Sequence, residues 1–272
     1  MVPVRSPAHR KGDAHMLCFP QQKDFRLQHA PLAEVVCQVR FPPVLRIANE
    51  QPIAFQERIR KHFPQLSIEH GLSVRWPPLE GEPPSAKPEP RTFRFKSADG
   101  KTVASLALDF FTLSTVSYTH WKDFSELLQL VNRSAHEVYD LPYAVRIGLR
   151  YINQLTLDNT GSTSIAELWD VLRPELTELL RSDCWDVPVE MISSLLLAGE
   201  EDEQLTLRSG FRSATEPMFL LDLDYYVEGN VPLADAPVLC QRFHDVIYDA
   251  FRWCIREDKV AVFGPIAVSE EE

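Results

Sequence analysis

Apolar and polar residues alternate along several segments of the chain, the pattern typical of β-strands that bury one face. The alternation is clearest in Leu32–Phe41, Thr92–Ser97 and Tyr143–Leu157. Thr92–Ser97 is followed by a turn at Ala98–Gly100 and a long return segment, Lys101–Tyr118, so this region predicts a hairpin. Weaker patterns predict further strands at 66–76, 187–198, 204–211 and 218–227.

Other segments carry apolar residues at helical spacing. A long amphipathic helix is predicted from an N-cap at Asp123 to Val138, and a closing helix is predicted over Val238–Ile255. Short helices are expected after Pro52 and after the capping residue Ser164. Strands and helices therefore alternate along the chain.

The order of predicted elements repeats, and four pairs of segments resemble each other at a spacing of about 110 residues. The pairs are Val39–Phe41 with Leu149–Tyr151, Phe93–Ser97 with Leu205–Ser209, Leu108–Phe111 with Leu223–Tyr226, and the apolar stripes of the two long helices. We therefore expect an internal duplication of a β-α-β-β-β-α unit, with one copy at residues 25–142 and the other at 143–262.

This order of elements predicts an α+β fold. Helices must cover a sheet face, whereas an antiparallel sheet can leave its other face to solvent. We expect one large, curved, mostly antiparallel sheet with helices on one face. This saddle-like arrangement resembles the TATA-box-binding fold, an analogy that carries no function.

Three segments are expected to lie outside the regular elements. Residues 1–24 are predicted to be a disordered arm, in which Met16 is an alternative translation start. Residues 77–90 hold six prolines and predict a loop. Residues 263–272 form an acidic tail.

The sheet face without helices is the first candidate site. Its position follows from the strand alternation, with Lys101–Tyr118 taken as one strand that places Ala107, Asp109 and Phe111 on this face. The candidate binding residues are Arg40, Arg94, Lys96, Asp109, Arg146, Arg150, Asp222, Asp224 and Tyr226.

Two interpretations of this face remain open. The charged residues can form cross-strand ion pairs, such as Arg40 with Asp109 and Arg150 with Asp222 or Asp224, that stabilise the sheet. Alternatively, they line a groove for a ligand or partner. Arginines that lie far from any carboxylate would favour the groove.

Composition and charge narrow the choice of partners. The chain has 272 residues, a net charge of −11 and an ordinary hydrophobic fraction of 44%. The negative charge disfavours nucleic-acid binding by the whole surface but leaves a local basic face possible. Five cysteines without metal-ligand spacing predict buried free thiols in a reducing cytoplasm. No apolar run approaches the roughly 20 residues needed to span a bilayer, so no membrane partner is expected.

Catalytic motifs do not stand out. The chain contains no glycine-rich phosphate loop and no G-x-S-x-G pattern. His120, beside Trp121, is the best single candidate for a site histidine, against a loop or capping role. Asp222 and Asp224 could share a metal ion, but the nearby arginines are better counter-charges. We therefore predict no catalytic residue, metal site or cofactor, and an enzymatic role stays uncertain.

Several segments carry a family resemblance: Ala30–Phe41, Phe95 with Ser97-x-Asp99-Gly100, Tyr118-x-x-Trp121-x-x-Phe124 and Gly148–Asn153. The chain resembles a sporadically distributed bacterial family of similar length with no assigned function. The resemblance covers most of residues 27–255, and the Tyr/Trp/Phe spacing and the Arg-Tyr-Ile-Asn run are its more specific parts. A patchy distribution implies an accessory role in a bacterial defence or mobile-element system.

Three functions are consistent with these observations. The first is a non-catalytic binding or adaptor protein that holds a protein partner through the uncovered sheet face or a free sheet edge. The alternative is a nucleic-acid-binding accessory with a basic sheet face that includes Arg94, Lys96, Arg146, Arg150 and Arg208. The second alternative is a pocket for a small ligand, or an enzyme, between sheet and helices. The oligomeric state is left open.

Overall fold

A computed structural model describes residues 19–20, 25–69, 72–74, 86–88, 91–200 and 202–267. The predicted arm lies outside these residues apart from Phe19 and Pro20. The predicted proline-rich loop lies outside them apart from 86–88, and the predicted acidic tail is described only as far as residue 267.

Nine strands of the described chain form one antiparallel sheet. Two further pairs, β1 with β13 and β4 with β5, lie outside it. The strands are β1 (Phe25–Leu27), β2 (Leu32–Arg40), β3 (Gln65–Glu69), β4 (Leu72–Val74), β5 (Ala86–Pro88), β6 (Thr92–Lys96), β7 (Thr102–Ala107), β8 (Phe110–Thr115), β9 (Tyr143–Thr156), β10 (Met191–Gly199), β11 (Glu203–Arg212), β12 (Met218–Pro232) and β13 (Pro265–Ala267).

Two long helices pack on the large sheet and on each other. The α-helices are α1 (Leu45–Asn49), α2 (Ile53–Ile59), α3 (Trp121–Tyr139), α4 (Leu157–Thr160), α5 (Ile165–Asp170), α6 (Pro174–Thr177) and α7 (Ala236–Cys254). The predicted α+β class with a large antiparallel sheet is therefore confirmed. Among the described helices, none is both long and apolar enough to cross a bilayer.

The strand order is symmetric about its centre, where β2 pairs with β9. On one side β9 is followed by β12, β11 and β10; on the other, β2 is followed by β8, β7, β6 and β3. The second half therefore has the predicted order of one strand, helices, three strands and a helix. The first half has an additional strand. The internal duplication itself stays a prediction.

The additional strand arises because the return segment is not one strand. A two-residue turn at Leu108–Asp109 separates β7 from β8, and Ala107 pairs with Phe110 across it. Such a turn reverses the alternation, so Phe110 shares a face with Ala107 and Phe111 is fully buried on the helix side. The predicted placement of Phe111 on the uncovered face was wrong.

The same turn changes two of the proposed segment matches. Leu108–Phe111 contains the turn, whereas Leu223–Tyr226 lies within β12. Residues 93–96 lie in β6, the third strand beyond β2. The third strand beyond β9 is β10, whereas the matched residues 205–209 lie in β11. These pairs resemble each other in pattern but do not occupy equivalent places in the sheet.

Element boundaries differ from the prediction in several places. The single strand predicted at 66–76 contains β3 and β4, which belong to different sheets, and β12 continues to Pro232. A helix start also differs. Helix α3 begins at Trp121, and its N-cap is His120, whose Nδ1 accepts a hydrogen bond from the Lys122 N–H at 3.0 Å. Asp123 was therefore the wrong cap. Ser164 does cap α5, by accepting from the Glu167 N–H.

The core lies between the helices and one face of the sheet. Alternate residues of β2 and β9, including Val35, Val39, Ile147 and Leu149, are almost completely buried there. Their burial provides the main stabilisation of the fold, because apolar area is removed from water.

The cysteines follow their prediction only in part. Cys37, Cys240 and Cys254 are buried free thiols, as predicted, but Cys184 is exposed. The Cys37 and Cys240 sulfur atoms lie 3.6 Å apart between β2 and α7. Their hydrogen bond and burial raise the pKa of Cys37 well above its usual value, so the Cys37 thiol stays protonated, and both side chains are part of the core.

Candidate functional site

A cavity of about 650 Å³ lies on the helix side of the sheet. Three groups of residues form most of its wall: one from β9, one from the segment between β8 and α3, and one from α7. The lining residues on which the chemistry depends are Tyr118, His120, Trp121, Tyr151, Asn153, His244 and Tyr248. Apolar side chains such as Phe251 and Ile266 complete the wall.

Local structure explains why these side chains converge. Tyr151 and Asn153 are two residues apart on β9 and therefore share its helix-side face. His244, Tyr248 and Phe251 follow each other at spacings of four and three residues and therefore share one face of α7. The sheet and the helix present these two faces to each other.

His244 is held by two aromatic neighbours. Its Nδ1 lies 2.7 Å from the Tyr151 hydroxyl. The Tyr151 hydroxyl in turn donates to the Tyr118 hydroxyl at 3.4 Å. The Trp121 ring is parallel to the imidazole, with 4.5 Å between ring centroids and 5° between planes. The Trp121 indole N–H donates to Gln241, which fixes the orientation of the stacked pair.

The imidazole is neutral at physiological pH. Burial lowers the pKa of His244 to about 4, because desolvation disfavours the charged ring, and His120 adds a smaller repulsion. A neutral imidazole both donates and accepts hydrogen bonds. His244 therefore contributes hydrogen bonding but no charge to the cavity.

The other described side chains of the cavity wall are uncharged as well. Among the residues that the structure describes, none that lines it is Asp, Glu, Lys or Arg. Its polar groups are hydroxyls, amides and imidazoles, interleaved with aromatic rings. This chemistry suits hydrogen bonding to a neutral molecule and gives no fixed charge to balance an ionised one.

The opposite sheet face carries the residues predicted to bind a partner. Arg150 donates to both carboxylate oxygens of Asp222, at 2.6 and 2.7 Å, and Arg208 approaches the same carboxylate at 3.4 Å. Only 3% of the Asp222 side chain is exposed. This hydrogen bonding raises the pKa of Arg150.

A second pair lies beside it and depends on a glycine. Arg146 contacts Asp224 at 3.0 Å, and its guanidinium lies 4.3 Å above the centroid of the Tyr226 ring. A Cβ on Gly148 would come within 2.6 Å of the Arg146 guanidinium, so the glycine leaves the room that this arrangement needs. Burial raises the pKa of Asp224, opposed by the attraction of Arg146.

The remaining predicted residues are more peripheral. Arg40 lies opposite Arg146 in register and pairs with Asp109 at 2.7 Å. Arg94 pairs with Glu69 on the neighbouring strand at 2.8 Å. Lys96 is in the row of Arg150 but four strands away, about 19 Å at normal strand spacing.

The predicted ion pairs are therefore confirmed for Arg40 with Asp109 and for Arg150 with Asp222. Arg146, Arg150, Asp222, Asp224 and Tyr226 form one cluster, whereas Arg94 and Lys96 do not reach it.

Sequence reasoning missed most of the cavity. It singled out His120, which lines the cavity and also caps α3. It also quoted Tyr118, Trp121, Tyr151 and Asn153 as parts of a family resemblance, without assigning them a role, and all four line the cavity. His244 and Tyr248 had no signal beyond the polar residues of an amphipathic helix.

Comparison with known proteins adds no functional information. A scan against protein-family models and a search of curated proteins each found no match.

Proposed function

We propose that this protein binds an uncharged aromatic or heteroaromatic small molecule in the cavity between α7 and β9. The observation that carries the proposal is a cavity of about 650 Å³ whose wall combines aromatic rings with the Tyr118–Tyr151–His244 hydrogen-bonded chain. Ligand pockets of roughly 300–1,000 Å³ with few polar groups among apolar ones are typical small-molecule sites.

The absence of charge on the described wall sets the charge of the ligand. An ionised group that enters the cavity loses part of its solvation and finds no counter-charge on the described wall. His244 does not provide one at neutral pH, since its pKa is lowered to about 4. A neutral ligand has no such cost.

The aromatic wall sets the shape of the ligand. Tyr118, Tyr248 and Phe251 offer ring faces and edges against which a flat molecule can pack. Hydroxyl and amide groups at the same wall then orient the ligand through a small number of hydrogen bonds. A flat heteroaromatic molecule uses both kinds of contact.

Thermal unfolding in the presence of a small panel of compounds tests the proposal. The panel contains purine bases and indole, with adenosine monophosphate and indole acetate as charged counterparts. A neutral compound at about 100 times its Kd should stabilise the protein by about 2.7 kcal/mol and raise Tm by about 5–10 °C. Calorimetry then measures the affinity.

Two tryptophan variants provide the matched comparison. Ala30 is exposed and lines the cavity, so Ala30→Trp should fill the site without disturbing the core and abolish the Tm shift. Ala54 is exposed on α2, away from the cavity wall, so Ala54→Trp should keep the shift. A full shift in Ala30→Trp, or larger shifts for the charged counterparts, would refute the proposal.

A protein partner on the uncovered sheet face is the second candidate function. It is supported by Arg150 and Arg208, which share one carboxylate although their side chains are 42% and 45% exposed. An acidic segment of a partner could engage both guanidinium groups. Recovery of the same proteins by wild type and Arg150→Ala from an extract of the native host would count against it.

The nucleic-acid alternative has less support. A phosphate backbone would compete with Asp222, Asp224 and Asp109 for guanidinium groups that already have carboxylate partners. Counterion release, the main source of nucleic-acid affinity, is smaller where the basic groups are already neutralised.

A further inference from the structure

One edge of the large sheet exposes an apolar strand. In the described sheet, β10 is the last strand on its side and pairs only with β11. Met191, Leu195, Leu196 and Leu197 are 71%, 68%, 53% and 57% exposed. Edge strands of soluble monomers are normally protected by charges, prolines or bulges. The nine residues of β10 contain no charged residue and no proline, and its register with β11 has no bulge.

The open edge has a defined set of hydrogen-bonding groups. The Ser213 N–H donates to the Glu190 carbonyl at one end of the β10–β11 ladder, and the Glu200 N–H donates to the Glu203 carbonyl at the other. In an antiparallel ladder the residues that bond to the neighbour alternate. The even-numbered residues of β10 therefore bond to β11, and the odd-numbered residues direct their N–H and C=O groups to the open edge.

The side chains of β10 are self-complementary about Leu195. If a second copy pairs antiparallel with Leu195 opposite Leu195, every other large residue meets a small one: Leu196 meets Ser194, Leu197 meets Ser193, Ile192 meets Ala198 and Met191 meets Gly199. All five odd-numbered residues then pair with odd-numbered residues. Every outward N–H and C=O group of the strand finds a partner, and the two Leu195 side chains contact each other across the axis.

We propose that two copies of this protein associate through antiparallel pairing of β10 with β10, on a two-fold axis that passes by Leu195. The contact is isologous, as in most symmetric dimers, and closes after two copies because it occupies the open edge of β10 in both. At the two ends Glu190 lies opposite Glu200 of the other copy, but both are exposed, so their repulsion is weak. The inference is independent of the proposed ligand.

Sedimentation equilibrium of the full chain tests the dimer. Wild type should have twice the monomer mass of 31.1 kDa at micromolar concentration. Leu195→Lys and Leu195→Glu each place two like charges at the axis, and each should raise the dimer dissociation constant at least about tenfold. Because Leu195 is exposed in the monomer, both variants should keep the wild-type circular dichroism spectrum.

A mixture of the Leu195→Lys and Leu195→Glu variants gives the most discriminating measurement. Lys and Glu then face each other at the axis, so a mixed dimer should form with an affinity close to that of wild type. Leu45→Lys, which changes a leucine that is 69% exposed on α1, should leave the dimer unchanged. A monomeric wild type, a dimeric Leu195→Lys variant, or a mixture that stays monomeric would each overturn the proposal.

Discussion

Both faces of β9 carry polar side chains, but those of one face are charged and those of the other are not. On the uncovered face, Arg146 and Arg150 are ionised and paired with Asp224 and Asp222. On the helix side, Tyr151 and Asn153 are neutral and line a cavity. On the uncovered face the side chains of Asp222 and Asp224 are only 3% and 16% exposed, but each carboxylate has a guanidinium partner. The described cavity wall offers no such partner, so a charge there would not be compensated. Charges therefore stabilise the sheet on one side, and neutral groups line a cavity on the other.

The largest expected effect is on the uncovered face. Arg150→Ala leaves the buried Asp222 with only the longer contact to Arg208. We expect a loss of about 2–3 kcal/mol in the free energy of unfolding, because a buried carboxylate loses two charge-assisted hydrogen bonds. Urea unfolding measures it.

Arg40→Ala is the matched control for this prediction. The Arg40 and Asp109 side chains are 48% and 31% exposed, so solvent screens the pair and its loss should cost no more than about 1 kcal/mol. If Arg150→Ala and Arg40→Ala lowered the free energy of unfolding equally, the burial of Asp222 would not make its ion pair stronger than the Arg40–Asp109 pair.

The next effect concerns pH on the helix side. The pKa of His244 in the folded protein is about 4, below its ordinary value of 6.5. Between these values the unfolded chain holds a proton that the folded ring does not, so the free energy of unfolding falls as pH falls. The slope is about 1.4 kcal/mol per pH unit, so acidification from pH 7 to 5 should cost about 2 kcal/mol from this residue.

His244→Gln isolates this contribution. Glutamine does not titrate, while every other group titrates as in wild type. Urea unfolding at several pH values should therefore give a curve that is flatter by about 2 kcal/mol between pH 7 and 5. Identical pH dependence in the two proteins would mean that folding does not lower the pKa of His244.

The smallest effect compares one hydroxyl on each face. Tyr151→Phe leaves the buried His244 Nδ1 without its 2.7 Å partner and should cost about 1–2 kcal/mol. Tyr226→Phe removes a hydroxyl that donates to Gln204 at 2.6 Å on the solvent side, and water can replace it, so we expect roughly 0.5 kcal/mol. Chemical denaturation measures the free energy of unfolding of both variants. A larger loss for Tyr226→Phe than for Tyr151→Phe would contradict the expectation that the buried hydroxyl contributes more.

Much of the fold could be predicted because alternation and helical spacing are local signals. The long strand at Tyr143–Thr156 and the two long helices lie close to their predicted bounds. The turn at Leu108–Asp109 was missed because alternation continues through it, so nothing local separated one strand from two. Without that turn, the faces of Phe110 and Phe111 could not be assigned correctly.

The candidate sites, too, could be predicted only where a local pattern indicated them. The pair Arg150–Asp222 could be predicted, since strand faces follow from alternation. The pair Arg40–Asp109 was also predicted, but with Asp109 placed on a strand, whereas it lies in a turn. The cavity could not, because its residues come from elements far apart in the chain and none of them forms a recognised motif. Tyr118 and Tyr151 were noticed only as parts of a resemblance.

By itself, the sequence determined the core-facing residues of β2, β9 and the two long helices, the α+β class and the charged character of one sheet face. These properties depend on side-chain periodicity, which is a local property of the chain. Only the tertiary structure decided that Tyr118, Tyr151 and His244 meet around a cavity, and that β10 is left at an open edge. Both depend on the order of strands and the packing of α7 across the sheet, which bring together residues that no local pattern relates.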